Sequence, residues 1–225
     1  MTYRELINQV LIRLREDTIA TDWSGNINDA TNVSAYHKLI GSLVNDSKRS
    51  TEERHDWLNL RETKDIDTVS GTKNYNLSSG QEIKILDVIN NDTGQHLNQV
   101  SRLYINTVKY PTDDTGEPLY YSFNGSDSSN NLKVDLSPVP TAVHKVSFDI
   151  VKYQDNLSTA ASVLKIPAQP VILGAWARAI SERGEDGGTQ SSAMAVEANE
   201  ALKQAIMLDS GNTQYETDWY VTTDG

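Results

Sequence analysis

The sequence predicts an α+β protein in which a helical bundle carries an inserted antiparallel β-domain and ends in an extended tail. Three observations lead to this class. Apolar residues recur at helical spacing near both ends of the 225-residue chain, alternate with polar residues between those ends, and lose both periods in the last stretch. The predicted order of elements is therefore helix, helix, strands, helix, helix and tail.

Two helices are predicted before the strands. Thr2 and Glu5 have the spacing of a capping box, and the apolar stripe that follows them contains Leu6, Ile7, Val10, Leu11 and Leu14. A second stripe predicts one long helix from about Thr31 to Leu60. The middle of this helix, NDSKRSTEERHD, is strongly polar, which predicts a solvated surface or a contact with a neighbouring chain.

From about Thr63 to Tyr153 the period of the sequence changes to two. Segments such as IKILDVIN, RLYINTVKY, PLYYSFN and KVSFDIVKY alternate apolar and polar residues, and turn-forming runs such as PTDDTGEP and GSDSSNN separate them. Six or more short strands of this kind predict an antiparallel β-sandwich or a barrel-like domain. Pro138 and Pro140 lack a backbone N–H, so the SPVPTA segment is not expected in a central strand.

Two further helices are predicted after the β-domain. Pro170 suits the first turn of a helix, and the stripe that follows contains Val171, Ile172, Ala175, Trp176, Ala179 and Ile180. The fourth stripe, after ERGEDGGTQSS, contains Met194, Ala198, Ala201, Leu202, Ala205 and Ile206, and its small residues permit close helix packing. The four helices are expected to form one bundle, with the helical domain at residues 1–61 and 160–208, the β-domain at 62–159 and the tail at 209–225.

The tail contains the sequence YETDWYVTTDG, which displays aromatic residues without a helical or strand period. Tyr215, Trp219, Tyr220 and Val221 would expose an apolar patch of the size that marks an interface. The tail could fold back on its own domain or bury these residues in another chain. Binding to a partner is the favoured interpretation, because aromatic anchors of this kind typically fill a partner's groove.

Motifs and composition predict no catalytic residue, no cofactor and no metal site. The chain has no cysteine, and the histidines, His37, His55, His96 and His144, lack the spacing of a metal site. Neither a GxSxG elbow nor a phosphate-binding glycine loop is present. The loop SERGEDGGTQSS lacks the ligand spacing of a calcium loop, and a glycine C-cap followed by a Ser/Thr N-cap is preferred. His37 and His55 are expected to face solvent.

The net charge of the chain argues against a protein that binds nucleic acid. The 20 Lys and Arg residues face 31 Asp and Glu residues, which gives a net charge of −11, and no basic block is present. No apolar run of about 18 residues exists, so no membrane partner is expected. Trp23, Trp57 and Trp176 are expected in the core or at the rim of the bundle.

Four segments, taken in order, carry a resemblance to a known family. YHKLIGSLVNDSKRSTEERHDWLNLRET is similar to a long second helix that ends in a tryptophan before the first strand, and YNLSSGQEIKILDVINNDTGQHLNQVSRLYIN is similar to the start of a β-domain. GEPLYYSFNGSDSSNNLKVDLSPVPTAVHKVSFDIVKYQDNL is similar to its later strands, and IPAQPVILGAWARAISERGEDGG to a return helix with a glycine turn. Together these segments resemble the head-to-tail adaptor, or connector, proteins of tailed bacteriophages, in particular of short-tailed phages.

This resemblance implies a structural, non-enzymatic protein of the virion neck, made in the host cytoplasm. It implies a ring, a dodecamer, that sits below the portal, extends the DNA channel and offers a platform to tail or nozzle proteins. Double-stranded DNA would pass through the channel without specific binding, because acidic walls repel it. The resemblance further implies that the C-terminal tail embraces the portal ring, with Tyr215, Trp219, Tyr220 and Val221 as the contacting residues.

Two other functions stay open at the level of the sequence. Tyr104, Tyr120 and Tyr121 could stack on a carbohydrate if they cluster outside the sheet, although tyrosines in strands are more often core or cross-strand residues. A peptidoglycan hydrolase carried in the virion is the second alternative, because any two acidic residues can meet in space.

Overall fold

The chain folds into two compact units, and its class is α+β as the sequence predicted. The structure, a computed structural model, describes residues 1–77, 83–106, 114–184 and 188–212. One unit consists of Met1–Asn59 and Gln154–Gly225 and contains the long helices. The other unit consists of Leu60–Tyr153 and contains the sheets.

The described part of the helical unit contains four helices longer than three turns. They are α1 (Tyr3–Leu14), α2 (Ala35–Glu52), α3 (Ala168–Arg183) and α4 (Thr189–Asn212), and short 3-10 turns lie at Ile27–Asp29 and Leu58–Leu60. The predicted capping box of α1 is confirmed: the Glu5 N–H donates to the Thr2 hydroxyl at 3.3 Å, and the Thr2 N–H donates to the Glu5 carboxylate at 2.8 Å. The predicted apolar stripe of α1 is buried.

Helix α2 is shorter than the sequence predicted. The prediction ran over residues 31–60, but the helix covers Ala35–Glu52. Beyond its end, the Trp57 indole N–H donates to the Thr51 carbonyl at 3.1 Å. This bond takes up an acceptor that a continuing helix would offer to the residue four positions on. The chain therefore turns, and Trp57 is buried within the unit.

One face of the polar segment NDSKRSTEERHD is buried, so the predicted solvated surface is wrong for that face, while other residues of the segment are exposed. Lys48 and Glu52 are 0% exposed, and Ser47 and Thr51 are buried beside them. The Lys48 ammonium donates to both carboxylate oxygens of Glu52, at 3.1 and 3.2 Å, and to the backbone carbonyl of Gln154. Burial raises the pKa of Glu52, and the neighbouring Lys48 ammonium opposes that rise. The interior thus accepts two charges because they satisfy each other.

Helix α3 is the central helix of this unit, since it packs against α1, α2 and α4. Helix α4 packs chiefly against α3, and only Leu202 and Ala205 of its 24 residues are buried. The described helices therefore do not surround one shared core, and the predicted four-helix bundle is not supported. The physical reason is that the stripe of α4 is rich in alanine, which buries little apolar area.

Helix α4 also runs further than predicted. The sequence assigned residues 209–225 to an extended tail, but α4 continues to Asn212. Asp209 and its neighbours are therefore helical, and the remaining tail residues, 213–225, lie outside the described part of the chain. We refer to residues 213–225 as the C-terminal segment.

The second unit contains two four-stranded sheets and one two-stranded sheet. Its strands are β1 (Arg61–Asp67), β2 (Asn74–Leu77), β3 (Ile83–Asn90), β4 (Gln95–His96), β5 (Asn98–Gln99), β6 (Thr115–Gly116), β7 (Tyr120–Ser126), β8 (Leu132–Ser137), β9 (Val139–Pro140) and β10 (Lys145–Lys152). The order in the first sheet is β1-β10-β3-β4, and the order in the second is β2-β8-β7-β5. Strands β6 and β9 pair with each other.

The two larger sheets share one apolar core, as in a sandwich. Strand β10 supplies Val146, Phe148 and Ile150 from the first sheet, and β8 supplies Val134 and Leu136 from the second. The alternate spacing of these residues is the period of two on which the sequence prediction relied. The core therefore forms where each strand turns its apolar face inward.

The second unit departs from the prediction at two places and agrees with it at Pro140. The pairs β5–β7 and β6–β9 are parallel, so the sheets are not purely antiparallel. Residues Arg102–Tyr104, predicted as the start of a strand, form one helical turn, in which the Ser101 hydroxyl accepts the N–H of Tyr104 at 3.1 Å. Pro140 lies in the two-residue strand β9 and not in a four-stranded sheet. The peptide bond between Ser137 and Pro138 is cis.

Asp127 organises the turn between β7 and β8. Its carboxylate accepts from the N–H groups of Asn131 at 2.8 Å and Ser129 at 2.9 Å and from the side-chain amides of Asn131 and Asn76, each at 3.1 Å. These bonds, led by the Asn131 N–H, lower the pKa of Asp127. A lowered carboxyl pKa contributes stability above the unfolded-state value, about 3.9, and that stability is lost as the pH falls through the folded-state value.

We therefore expect Asp127→Asn to lower the melting temperature at pH 7 and to lose this deficit as the pH falls below about 4. Thermal unfolding of wild-type and variant protein over this pH range provides the measurement. Asp67→Asn is the matched control, because it removes one carboxylate from the same unit at an exposed strand end. Equal effects of the two substitutions at pH 7 would contradict the role of the Asp127 hydrogen bonds.

Candidate interaction surfaces

The residues that the sequence singled out for partner binding, Tyr215, Trp219, Tyr220 and Val221, lie outside the described part of the chain. The structure shows how the last turn of α4, which precedes these residues in the sequence, is held in place. The Asp209 carboxylate accepts from the His55 ring at 2.8 Å and from the Leu58 N–H at 3.3 Å. These bonds fix the last turn of α4 to the chain that follows α2.

The histidines predicted to face solvent make specific contacts. The His55 side chain is 19% exposed, and its ring packs edge-on against Trp57 with the centroids 4.9 Å apart. His37 is half-buried, and its Nε2 lies 3.0 Å from the backbone carbonyl of Asp17. The prediction of a solvent-facing histidine is therefore wrong for His55, which packs between Trp57 and Asp209, while His37 stays partly exposed.

Helix α4 offers an exposed apolar surface. Val196, Met207 and Leu208 are 61%, 74% and 74% exposed. The same helix contributes little to the core, as described above. These three side chains are therefore available to a partner.

A pocket lies in the helical unit at the ends of α1 and α3 and at the beginning of α4. Its volume is about 500 Å³, and it is lined by Arg13, Leu14, Arg15, Trp176, Ile180, Arg183 and Gln190. We call it the arginine pocket. Three guanidinium groups and one indole at one site give it the chemistry to hold carboxylates and aromatic rings.

Two of the arginines are held by other side chains. Arg13 donates to the carbonyl and the side-chain oxygen of Gln9, at 2.8 and 3.0 Å. Arg183 forms an ion pair with Glu16 and donates to the Tyr36 hydroxyl at 2.7 and 3.0 Å. These bonds hold both guanidinium groups in place beside the pocket that their residues line.

Arg15 is the most exposed of the three arginines and has an unusual backbone. It is the C-cap of α1, with a φ of 58° in the left-handed region, where glycine is the usual residue. Among the described residues its side chain has no hydrogen-bond or ion-pair partner. Arg15 is therefore an exposed residue of the pocket lining.

We therefore expect Arg15→Gly to raise the free energy of unfolding by about 1 kcal/mol, because glycine adopts the left-handed conformation without a clash. Urea denaturation gives the value. Arg15→Ala is the control, since alanine keeps the backbone strain and removes the same guanidinium group. A loss of stability in the glycine variant would show that the arginine side chain itself holds the fold.

A second cavity, of about 220 Å³, lies between α2, α3 and α4. Its lining includes Arg54, Arg178, Ser50 and Asn199. Helices α2 and α3 approach closely here, because a Cβ at Gly174 would lie 2.4 Å from the hydroxyl of Ser47. The cavity is therefore narrow and polar.

The tyrosines considered for carbohydrate binding do not form one exposed platform. Tyr121 is 6% exposed and packs in the sandwich core against Phe123 and Phe148. Tyr104 and Tyr120 lie edge to face with their centroids 6.1 Å apart. The structure therefore gives the carbohydrate alternative no support from Tyr121.

The described residues contain no group of three or more His, Asp or Glu side chains that could hold a metal ion. Within the same residues, no helix combines the length and the apolar character needed to cross a bilayer. The glycine C-cap predicted for the loop SERGEDGGTQSS is present at Gly184, the left-handed C-cap of α3, and residues 185–187 of this loop lie outside the described chain.

The comparison with known families defines the class of the protein. A family model described as SU10 adaptor protein matches residues 1–222, and the class is that of structural phage adaptor proteins, components of the virion. The chain belongs to the SU10 adaptor protein family. No curated protein matches it.

Proposed function

We propose that this chain is a head-to-tail adaptor of a short-tailed phage that assembles as a ring, a dodecamer, below the portal. The observation that carries the proposal is the family match, which extends over residues 1–222 and so includes the aromatic residues of the C-terminal segment. The ring extends the DNA channel from the portal and offers an attachment platform to tail or nozzle proteins. The helical domain and the inserted β-domain are its two parts.

The C-terminal segment is the portal-binding element in this proposal. It contains Tyr215, Trp219, Tyr220 and Val221 within nine residues of Asn212. Large aromatic side chains supply most of the binding energy in protein interfaces when they fill a partner's pocket. Because Asp209 fixes the last turn of α4, every copy in a ring would present this segment from an equivalent position.

The acidic composition supports a channel through which DNA slides. The chain carries 31 acidic and 20 basic side chains, and a ring multiplies this imbalance. A wall of negative charge repels the DNA backbone and does not release counterions to it. The assembled ring is therefore expected to retain no double-stranded DNA in a low-salt mobility-shift experiment, and retention would contradict an acidic channel.

The experiment that tests the role is direct. The purified full chain is mixed with rings of the phage portal protein, and the mixture is analysed by electron microscopy and by sedimentation. An additional layer of density on one face of the portal supports the proposal. Portal rings that remain unchanged with a large excess of the chain would contradict it.

A further inference from the structure

The arginine pocket stands apart from the rest of an acidic protein. Arg13, Arg15 and Arg183 line one cavity, although acidic residues outnumber basic ones by 31 to 20 in the chain. Like charges repel, so a cluster of three cations needs a compensating group. The Glu16 carboxylate compensates Arg183, while Arg13 is held by the neutral Gln9.

The shape and chemistry of the pocket fit an acidic peptide that carries aromatic rings. Its volume of about 500 Å³ is that of a typical ligand site. Guanidinium groups bind carboxylates through paired hydrogen bonds and also lie over aromatic faces. Trp176 and Ile180 add an apolar wall against which a ring can pack.

The C-terminal segment has the matching chemistry. It contains no lysine or arginine and carries Glu216, Asp218 and Asp224. Asp218 comes directly before the aromatic pair, Trp219 and Tyr220, and Glu216 lies two positions earlier. Two acidic and two aromatic side chains thus lie within five residues, a combination that the pocket complements.

The pocket is too far away for the segment of the same chain. Gln190, at the pocket, and Asn212 are 22 positions apart on α4, which is about 33 Å at 1.5 Å per residue. The seven residues from Asn212 to Trp219 span at most about 25 Å. An extended segment that ran back along α4 could bring Trp219 level with Trp176, but Glu216, only four residues or at most about 14 Å from Asn212, would stay far short of the arginines near Gln190. A segment from another copy has no such limit.

We propose that the arginine pocket binds the C-terminal segment of a second copy of this chain. Trp219 and Tyr220 pack against Trp176, and the carboxylates of Glu216 and Asp218 pair with Arg13 and Arg15. A segment of one copy in the pocket of the next is a heterologous contact, which can close into a ring. One Trp219 side chain cannot occupy this pocket and a groove of the portal at the same time. The contact between copies is therefore made before the protein attaches to the portal. This order, contact first and attachment second, is the only part of the proposal that rests on the proposed function.

The test uses two full-length variants that each lack one half of the contact. Arg13→Glu/Arg15→Glu removes the pocket, and Trp219→Ala/Tyr220→Ala removes the anchors. The wild-type chain is expected to self-associate with rising concentration in sedimentation velocity experiments, and each variant alone to stay monomeric. An equimolar mixture of the two variants is expected to form dimers but nothing larger, because one intact pocket and one intact segment remain.

Arg61→Glu/Lys84→Glu is the matched control, since it reverses the same number of charges in the other unit. This control is expected to associate like the wild type. Association of the pocket variant as strong as that of the wild type would overturn the proposal, and so would a wild-type chain that stays monomeric or a mixture that fails to dimerise. Circular dichroism establishes that both variants are folded.

The affinity of a labelled peptide of residues 213–225 for the pocket reports on the same contact in the absence of self-association. Its fluorescence anisotropy is followed with the Trp219→Ala/Tyr220→Ala chain as receptor. We expect Arg13→Glu/Arg15→Glu in that receptor to weaken binding at least about tenfold, because it places like charges opposite the peptide. Equal affinity in both receptors would overturn the assignment to the pocket. No portal is present, so this result is independent of the proposed attachment.

Discussion

Replacement of Lys48 by alanine is expected to lower the free energy of unfolding by about 3–5 kcal/mol, because it leaves the Glu52 carboxylate buried without its partner. Both side chains are 0% exposed, and the ammonium of Lys48 also donates to the Gln154 carbonyl. Chemical denaturation at neutral pH gives the difference. A loss below about 1 kcal/mol would contradict a buried pair.

A double variant and the pH dependence distinguish two causes of the destabilisation in Lys48→Ala: the loss of the ion-pair partner of Glu52 and the loss of side-chain volume. Lys48→Met/Glu52→Leu fills the same space without charge and is expected to be less destabilised than Lys48→Ala. Burial already raises the pKa of Glu52, and loss of the ammonium raises it further. A carboxyl with a raised folded-state pKa loses stability as the pH rises through that value, so the deficit of Lys48→Ala shrinks as the pH falls.

Substitution of Trp219 and Tyr220 by alanine is expected to abolish attachment to the portal in a pull-down experiment. An aromatic anchor at the centre of an interface contributes about 2 kcal/mol or more, which is about 30-fold in affinity for each residue. A ring binds through all of its copies at once, so the loss multiplies over the assembly. The effect on the isolated chain should be small, since α4 ends at Asn212 before either residue.

Thr222→Ala/Thr223→Ala is the matched control for this experiment, because it changes the same segment without removing an aromatic ring. The control variant should attach like the wild type. Full attachment of the aromatic variant would show that another surface binds the portal, and the exposed face of α4 with Val196, Met207 and Leu208 would be the next to test.

Periodicity predicted the elements of the fold better than their packing. The stripes of α1 and α3 and the alternation in β10 gave the correct type of structure, because each turns one face to a core. Periodicity did not predict the burial of Lys48 and Glu52, because two opposite charges four residues apart are also typical of a solvated helix face. Their interior position shows only in the folded chain, where the Lys48 ammonium also donates to the carbonyl of Gln154, more than a hundred residues away.

The arginine pocket could not be read from the sequence either. Arg13 and Arg183 lie in the last turns of their helices, where basic residues are expected for the helix dipole alone. Their convergence depends on how α1 and α3 pack, which no local pattern encodes. Arg15 gives no signal in the sequence, because its left-handed backbone becomes visible only in the folded chain.

The central claim is that the C-terminal segment buries its aromatic residues in the portal. Cryo-electron microscopy of the full chain bound to portal rings tests this most directly. The account predicts density for Trp219 and Tyr220 within a groove of the portal, once for each copy of the chain. Density for Trp219 among the helices of its own chain, without contact to any other subunit, would contradict it.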